Sequence, residues 1–182
     1  MQAGWAIIAD MKQSVAVLLF SLVASPLALA GYTLAVGRPA PLFQAKTNQG
    51  EAFDLSSRKG KWTVLYFYPK AETPGCTKQA CAFRDSIEKI RALNADVYGV
   101  SADSVESIAK FHENHHLNFT LIADPDDEVI TKYGVKLPIL RMAKRWTFII
   151  DPQLNIRFIE TIVDPVLDAE KTAAELKRLQ TG

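Results

Sequence analysis

Apolar residues in this chain come in short runs divided by polar and Pro/Gly-containing stretches, and the period of each run indicates an element. Trp62 to Tyr68 is a nearly continuous apolar run, as expected for a strand at the centre of a sheet. From Thr77 to Asn94 the period changes to helical, and Ala80, Phe83, Ile87, Ile90 and Leu93 share one face. Asp96 to Ser101 is the next strand. Ser104 to His116 is a second helix with Val105, Ile108 and Phe111 inward. Thr120 to Ala123 is a short strand, and Asp126 to Tyr133 a short helix stopped by Gly134. Trp146 to Ile150 is a strand, Asp151-Pro152 a turn, and Ile156 to Val163 the returning arm of a hairpin. Leu167 to Leu179 closes the chain as an amphipathic helix. Ahead of these, Gly37 to Asp54 reads as a β-hairpin region turning at Gly50, and Ser56 to Gly60 as a polar loop. Strands alternating with helices predict an α/β sandwich around a mixed central sheet. No internal repeat, linker or low-complexity segment interrupts it.

The N-terminus follows a different rule. Val15 to Ala30 is almost free of polar residues and carries no charge. Lys12 precedes it, and Ala28-Leu29-Ala30 forms a small-residue cleavage site before Gly31. This is the pattern of a secretory signal peptide covering residues 1–30, with residues 31–182 as the working domain. Met11 makes the better start, because Met11-Lys12-Gln13-Ser14 is a positive leader whereas Asp10 would cancel Lys12. The alternative is an uncleaved helix anchoring the protein to a membrane, for which the run is near the lower limit of about 17 residues. Cleavage would leave no stable membrane association and a periplasmic or otherwise exported protein. Over all 182 residues the net charge is +1, which argues against a nucleic-acid partner or a polybasic membrane surface.

The chain has two cysteines, Cys76 and Cys81. Cys76 follows the apolar strand and a Pro/Gly turn. Thr73 is a good N-cap and Pro74 suits the first helical position, which makes Cys76 the third helical residue. There the unpaired N–H groups and the helix dipole favour thiolate over thiol. Export implies an oxidising compartment, so a static disulfide is the plain alternative. Residues five apart on an ideal helix have Cα atoms roughly 8.6 Å apart on divergent faces. A disulfide needs about 7 Å or less. A permanent bridge would therefore break the predicted helix, and one that forms and reopens fits better.

Pro69-x-x-x-Thr73-x-x-Cys76 resembles the active-site pattern of the peroxiredoxins. The longer string from Tyr66 to Asp85, YFYPKAETPGCTKQACAFRD, is similar to the bacterioferritin comigratory protein-like (Q-type) branch of the alkyl hydroperoxide reductase/thiol-specific antioxidant family. The likeness runs from about Val36 to Leu179 and departs from the usual acidic residue at Ala71 and Ala82. It implies a thioredoxin-like fold with an N-terminal β-hairpin extension. It also implies thiol-dependent reduction of hydrogen peroxide or organic hydroperoxides. In such a reaction Cys76 attacks peroxide and becomes a sulfenic acid. Cys81 resolves it as a disulfide, and a thioredoxin-like dithiol protein reduces the bridge. The family's active-site arginine precedes a Thr-Phe strand by one residue, which selects Arg145 in Arg145-Trp146-Thr147-Phe148 over nearby Arg141. Gly75 and Cys76 N–H groups, the Thr73 hydroxyl and Arg145 are the expected donors to peroxide, with Pro69 shaping the turn and shielding the sulfur. Arg84, one turn beyond Cys81, has no assigned role. No metal, flavin or haem is implied, and the protein is expected to be a monomer or weak dimer.

His112-Glu113-Asn114-His115-His116 matches H-E-x-x-H, the zinc-protease pattern. It falls at the end of a short polar helix, with Glu128 the available downstream acid, and a solvated helix end is the more economical reading. Asn118-Phe119-Thr120 is a glycosylation sequon weakened by its strand position. Two other functions share the fold. A thioredoxin-type thiol–disulfide oxidoreductase needs Cys-x-x-Cys, which this spacing is not. A non-enzymatic binding module would leave both thiols inert to peroxide.

Overall fold

The computed structural model describes residues 34–181, so the Val15–Ala30 run and its cleavage site lie outside the described residues. Seven strands form one mixed sheet: β1 Gln44–Thr47, β2 Ala52–Asp54, β3 Trp62–Phe67, β4 Ala95–Ser101, β5 Thr120–Ala123, β6 Trp146–Ile150 and β7 Ile156–Glu160. Their order across the sheet is β2-β1-β5-β4-β3-β6-β7. β3, β4 and β5 are parallel, and β6, β7, β1 and β2 add antiparallel at the two sides. The helices are α1 Pro74–Arg91, α2 Val105–Asn114, α3 Glu128–Lys132 and α4 Asp168–Thr181.

Strand alternation splits the core in two. Val64, Tyr66 and Tyr68 pack with Phe83, Ile87 and Ile90 of α1, Phe111 of α2 and Leu176 of α4. Leu65 and Phe67 join Ile122, Phe148, Ile150 and the α3 residues Val129 and Ile130. That a central strand is buried on both faces explains why β3 reads as unbroken apolar sequence. Gly99 of β4 is a close-approach glycine: a Cβ there would stand 2.6 Å from the Tyr66 ring and hydroxyl and 2.8 Å from Leu121. Tyr66 in turn stacks on Phe83 with ring centroids 4.6 Å apart.

Several expected boundaries move. The hairpin is confined to β1 and β2, with Gly50 at φ 79° in its turn. Gly37 instead runs beside β7 and donates its N–H to the Ile156 carbonyl. The expected loop after β2 begins as a 3-10 helix, Leu55–Arg58, because the Asp54 carboxylate accepts from the Ser56 N–H and caps it. α3 starts only at Glu128, because Asp127 is left-handed at φ 60°. β7 ends at Glu160 rather than Val163. The α2 helix stops at Asn114, and His116 is left-handed at φ 49°.

Candidate active site

β3 delivers the chain to the site, and a short loop turns it into α1. The loop is tied down at two places. Ala71 N–H donates to Asp103 Oδ2 at 2.8 Å, and the same oxygen accepts from the Ser101 hydroxyl at 2.9 Å. Glu72, left-handed at φ 64°, directs its carboxylate to the end of α2. There Asn114 Nδ2 lies 2.9 Å from Oε1 and His115 Nε2 lies 2.9 Å from Oε2. Those hydrogen bonds, His115 first, hold the Glu72 carboxyl below the usual range. Left-handed backbone costs a non-glycine residue of order 1 kcal/mol, and the two side-chain bonds offset it.

Thr73 has the extended backbone of an N-cap, and Pro74 opens the helix. Its hydroxyl does not cap. Thr73 Oγ1 donates to the Lys70 carbonyl at 2.9 Å, so the hydroxyl neither caps the helix nor serves as the expected donor to peroxide. The hydroxyl proton is engaged, and the oxygen keeps lone pairs with which to accept from a substrate. Pro69 is half-buried and begins the turn. Cys76 is the third residue of α1 and fully buried, with a free thiol. The N–H groups of Gly75 and Cys76 belong to the first helical turn, which has no earlier carbonyl to bond.

Arg145 enters from the residue before β6. Its Nη2 reaches Cys76 Sγ at 3.4 Å, and its Nη1 donates to Gln79 Oε1 at 2.7 Å. A Cβ on Gly75 would stand 3.1 Å from Nη2, so the lack of a side chain at Gly75 lets the guanidinium approach. Arg141 points elsewhere. It pairs with Asp127, donates to the Pro125 carbonyl and is 69% exposed. Tyr66 and Tyr68 are buried near the sulfur, and burial pushes both phenols up, so they stay neutral.

Cys81 lies in the same helix, half-buried, with a free thiol. Arg84 bridges α1 to α2 by donating to the His115 carbonyl at 2.8 Å. The H-E-x-x-H histidines do not share a helix face. His112 lies on α2, where burial pushes it down and the Phe119 backbone opposes. His116 is past the helix end, and His115 is engaged by Glu72. Among the described residues no group of three or more His, Cys, Asp or Glu is placed to hold a metal ion. Asn118 donates to the Arg84 carbonyl from the segment before β5 rather than from within the strand.

Sequence reasoning missed three buried polar residues behind the arginine: Gln79, Thr147 and Asp168. Gln79 did carry a signal, since it sits one turn beyond Cys76 on a face that is apolar but for Ser86.

The AhpC/TSA family model matches residues 36–159. A chloroplastic peroxiredoxin Q from Oryza sativa subsp. japonica is 41% identical over 124 residues, covering 68% of this chain; the chain spans 57% of that protein's length. The crystal structure of peroxidoxin BcpB from Mycobacterium tuberculosis superposes with a TM-score of 0.76 at 32% identity, covering 81% of this chain and 99% of that one. A bacterioferritin comigratory protein from Xanthomonas campestris, described for its alkyl peroxide reduction activity, gives 0.72 at 26% identity over 75% and 91%.

Proposed function

This chain belongs to the AhpC/TSA family, and we propose on that premise that it is a thiol-dependent peroxidase whose nucleophile is Cys76. The observation that carries this reading is the Arg145 guanidinium at the sulfur of a cysteine buried in the first turn of α1. The Cys76 thiolate attacks one peroxide oxygen. An S–O bond forms, the O–O bond breaks, and the other oxygen leaves as water or an alcohol after taking a proton. Arg145 and the Gly75 and Cys76 N–H groups donate to the charge developing on the oxygens, while the Thr73 oxygen accepts from the peroxide O–H. Preorganised donors of this kind contribute about 3 kcal/mol each.

The sulfenic acid then condenses with the Cys81 thiol, forming a disulfide and releasing water. Both cysteines lie in one continuous helix, so this step must unwind its start. A thioredoxin-like dithiol reduces the bridge and returns both thiols. Residues 31–182 act after export, a reading supported by the Val15–Ala30 run. Intact-mass analysis after one equivalent of peroxide tests the cycle. Loss of two hydrogens is expected, and unchanged thiols would remove the reading.

We infer the substrate class from the segment that precedes α4. Ile162, Val166 and Leu167 are exposed around Pro165, whose Cγ lies 4.0 Å from where a Gly75 Cβ would be. Exposed apolar side chains in the segment that approaches Gly75 favour an alkyl hydroperoxide. Val166→Ser should lower the rate for an alkyl hydroperoxide more than for hydrogen peroxide; equal losses would contradict this.

A further inference from the structure

Asp168 opens α4, is 2% exposed, and has no part in the cycle described above. Its Oδ2 accepts two hydrogen bonds, from Gln79 Nε2 at 2.7 Å and from the Thr147 hydroxyl at 2.7 Å. Gln79 is fully buried, and its other end, Oε1, accepts from Arg145 Nη1. The second nitrogen of that guanidinium is the one at Cys76 Sγ. Three links thus join the last helix of the chain to the sulfur.

We propose that Asp168 is a positioning residue for Arg145: its ionised carboxylate sets the direction of the Gln79 amide, and the amide holds the guanidinium against Cys76. The inference rests on the reading of Cys76 as the peroxide-attacking sulfur. An ionised carboxylate only accepts, and a guanidinium only donates. The Gln79 amide has one end of each kind, so between these two groups it has a single satisfied orientation. A neutral group at position 168 offers both a donor and an acceptor. The amide is then free to flip, placing its NH2 group against the Arg145 donors and forcing the guanidinium away.

The surroundings place this carboxylate in a balance. Burial pushes it up most strongly, and Glu160 of β7 pushes the same way. Hydrogen bonds from Gln79 of α1 and Thr147 of β6 oppose that, as does the Arg145 charge, while Tyr66 of β3 is a further buried titratable neighbour. The amide link is what keeps a buried charge satisfied, because a buried ionised group without partners is strongly disfavoured.

Exchanging the two side chains' chemistry tests the relay. In Gln79→Glu/Asp168→Asn both links of the path from position 168 to Arg145 can be remade. The introduced amide nitrogen at position 168, in the place of Oδ2, donates one hydrogen to the introduced carboxylate at position 79 and the other to the Thr147 hydroxyl oxygen, and Arg145 still finds an acceptor. Asp168→Asn alone should lower the second-order rate constant for peroxide on the order of tenfold. The paired exchange should recover it to within about threefold of wild type, which a merely structural role for Asp168 would not produce. Gln79→Glu alone faces one carboxylate with another and should be no better than Asp168→Asn. A paired exchange as slow as Asp168→Asn, or an Asp168→Asn protein as fast as wild type, would overturn the proposal. Should Asp168→Asn not fold, the paired exchange is compared with Gln79→Leu/Asp168→Leu, which fills the same space without polar atoms. Equal rates for those two would overturn it as well. Peroxide turnover by Cys76→Ser would instead remove the underlying reading, whatever the Asp168 variants do.

Discussion

Arg145 and Cys76 are 69 residues apart in the chain and 3.4 Å apart in the fold. The antiparallel pairing of β6 with β3 produces this contact. Phe67 is opposite Trp146, so the residue before β6 arrives beside the turn that follows β3. Arg141 leaves in another direction, held by Asp127 and the Pro125 carbonyl.

That separation of roles predicts unequal mutants. Arg145→Ala should lower the peroxide rate constant by roughly two to three orders of magnitude, the usual effect of removing one donor to developing charge. Arg141→Ala should leave it within about twofold. Stopped-flow rates of the two variants check this, and the opposite ranking would refute the assignment of the arginine.

Cys76→Ser should abolish turnover, since no other described side chain at the site supplies a nucleophile to the O–O bond. Cys81→Ser should consume one equivalent of peroxide and stop as a sulfenic acid. Trapping with dimedone and locating the adduct by mass spectrometry reads this out. An unlabelled Cys76 in that variant would contradict the resolving role of Cys81.

Oxidation should loosen the start of α1. Amides from Thr73 to about Arg84 should exchange faster in the disulfide than in the dithiol form, while Trp62 to Phe67 stay protected in both. Gln79 lies inside the loosened segment, so its bonds to Arg145 and Asp168 should break at the same time. Matching exchange in the two redox states would mean that the bridge forms without unwinding.

The Glu72 bonds to His115 and Asn114 make the loop's attachment pH-dependent. The folded carboxyl is held below its ordinary value of about 4.3. Its stabilising contribution is therefore complete above that value and fades as the pH falls through the lower folded one. The melting-temperature difference between wild type and Glu72→Gln should be present at neutral pH and vanish in acid. A difference that persists in strong acid would rule out the hydrogen bonds to the ionised Glu72 carboxylate as its source.

Gly99→Ala should destabilise the domain by about 1–3 kcal/mol, the typical effect of overpacking a filled core. The added methyl meets Tyr66 and Leu121, which are both fully buried. Chemical denaturation measures the loss, and full stability would show that Tyr66 can retreat.

Local chemistry made much of this molecule readable in advance. β5 and β6 have the bounds that their apolar runs indicated, and α1 starts where Thr73-Pro74 placed it, because strand burial and helix initiation are written in adjacent residues. Cys76 stood out for the same reason. Positions decided by side chains far along the chain were not readable. The ends of α2 and α3 depend on single left-handed residues, His116 and Asp127, neither of them glycine. The Thr73 hydroxyl turned to the Lys70 carbonyl rather than to the helix it precedes. Thr147 and Asp168 look like ordinary polar residues in sequence, and Gln79 is marked only by its place on the Cys76 face of α1; each lies on a different element and gains meaning only where those elements meet. The path from Asp168 to Cys76 joins the start of α4, the middle of α1 and the edge of β6. Only packing of helices against the sheet could bring those together, because hydrogen-bond direction is a property of atoms in space and leaves no mark on the order of residues.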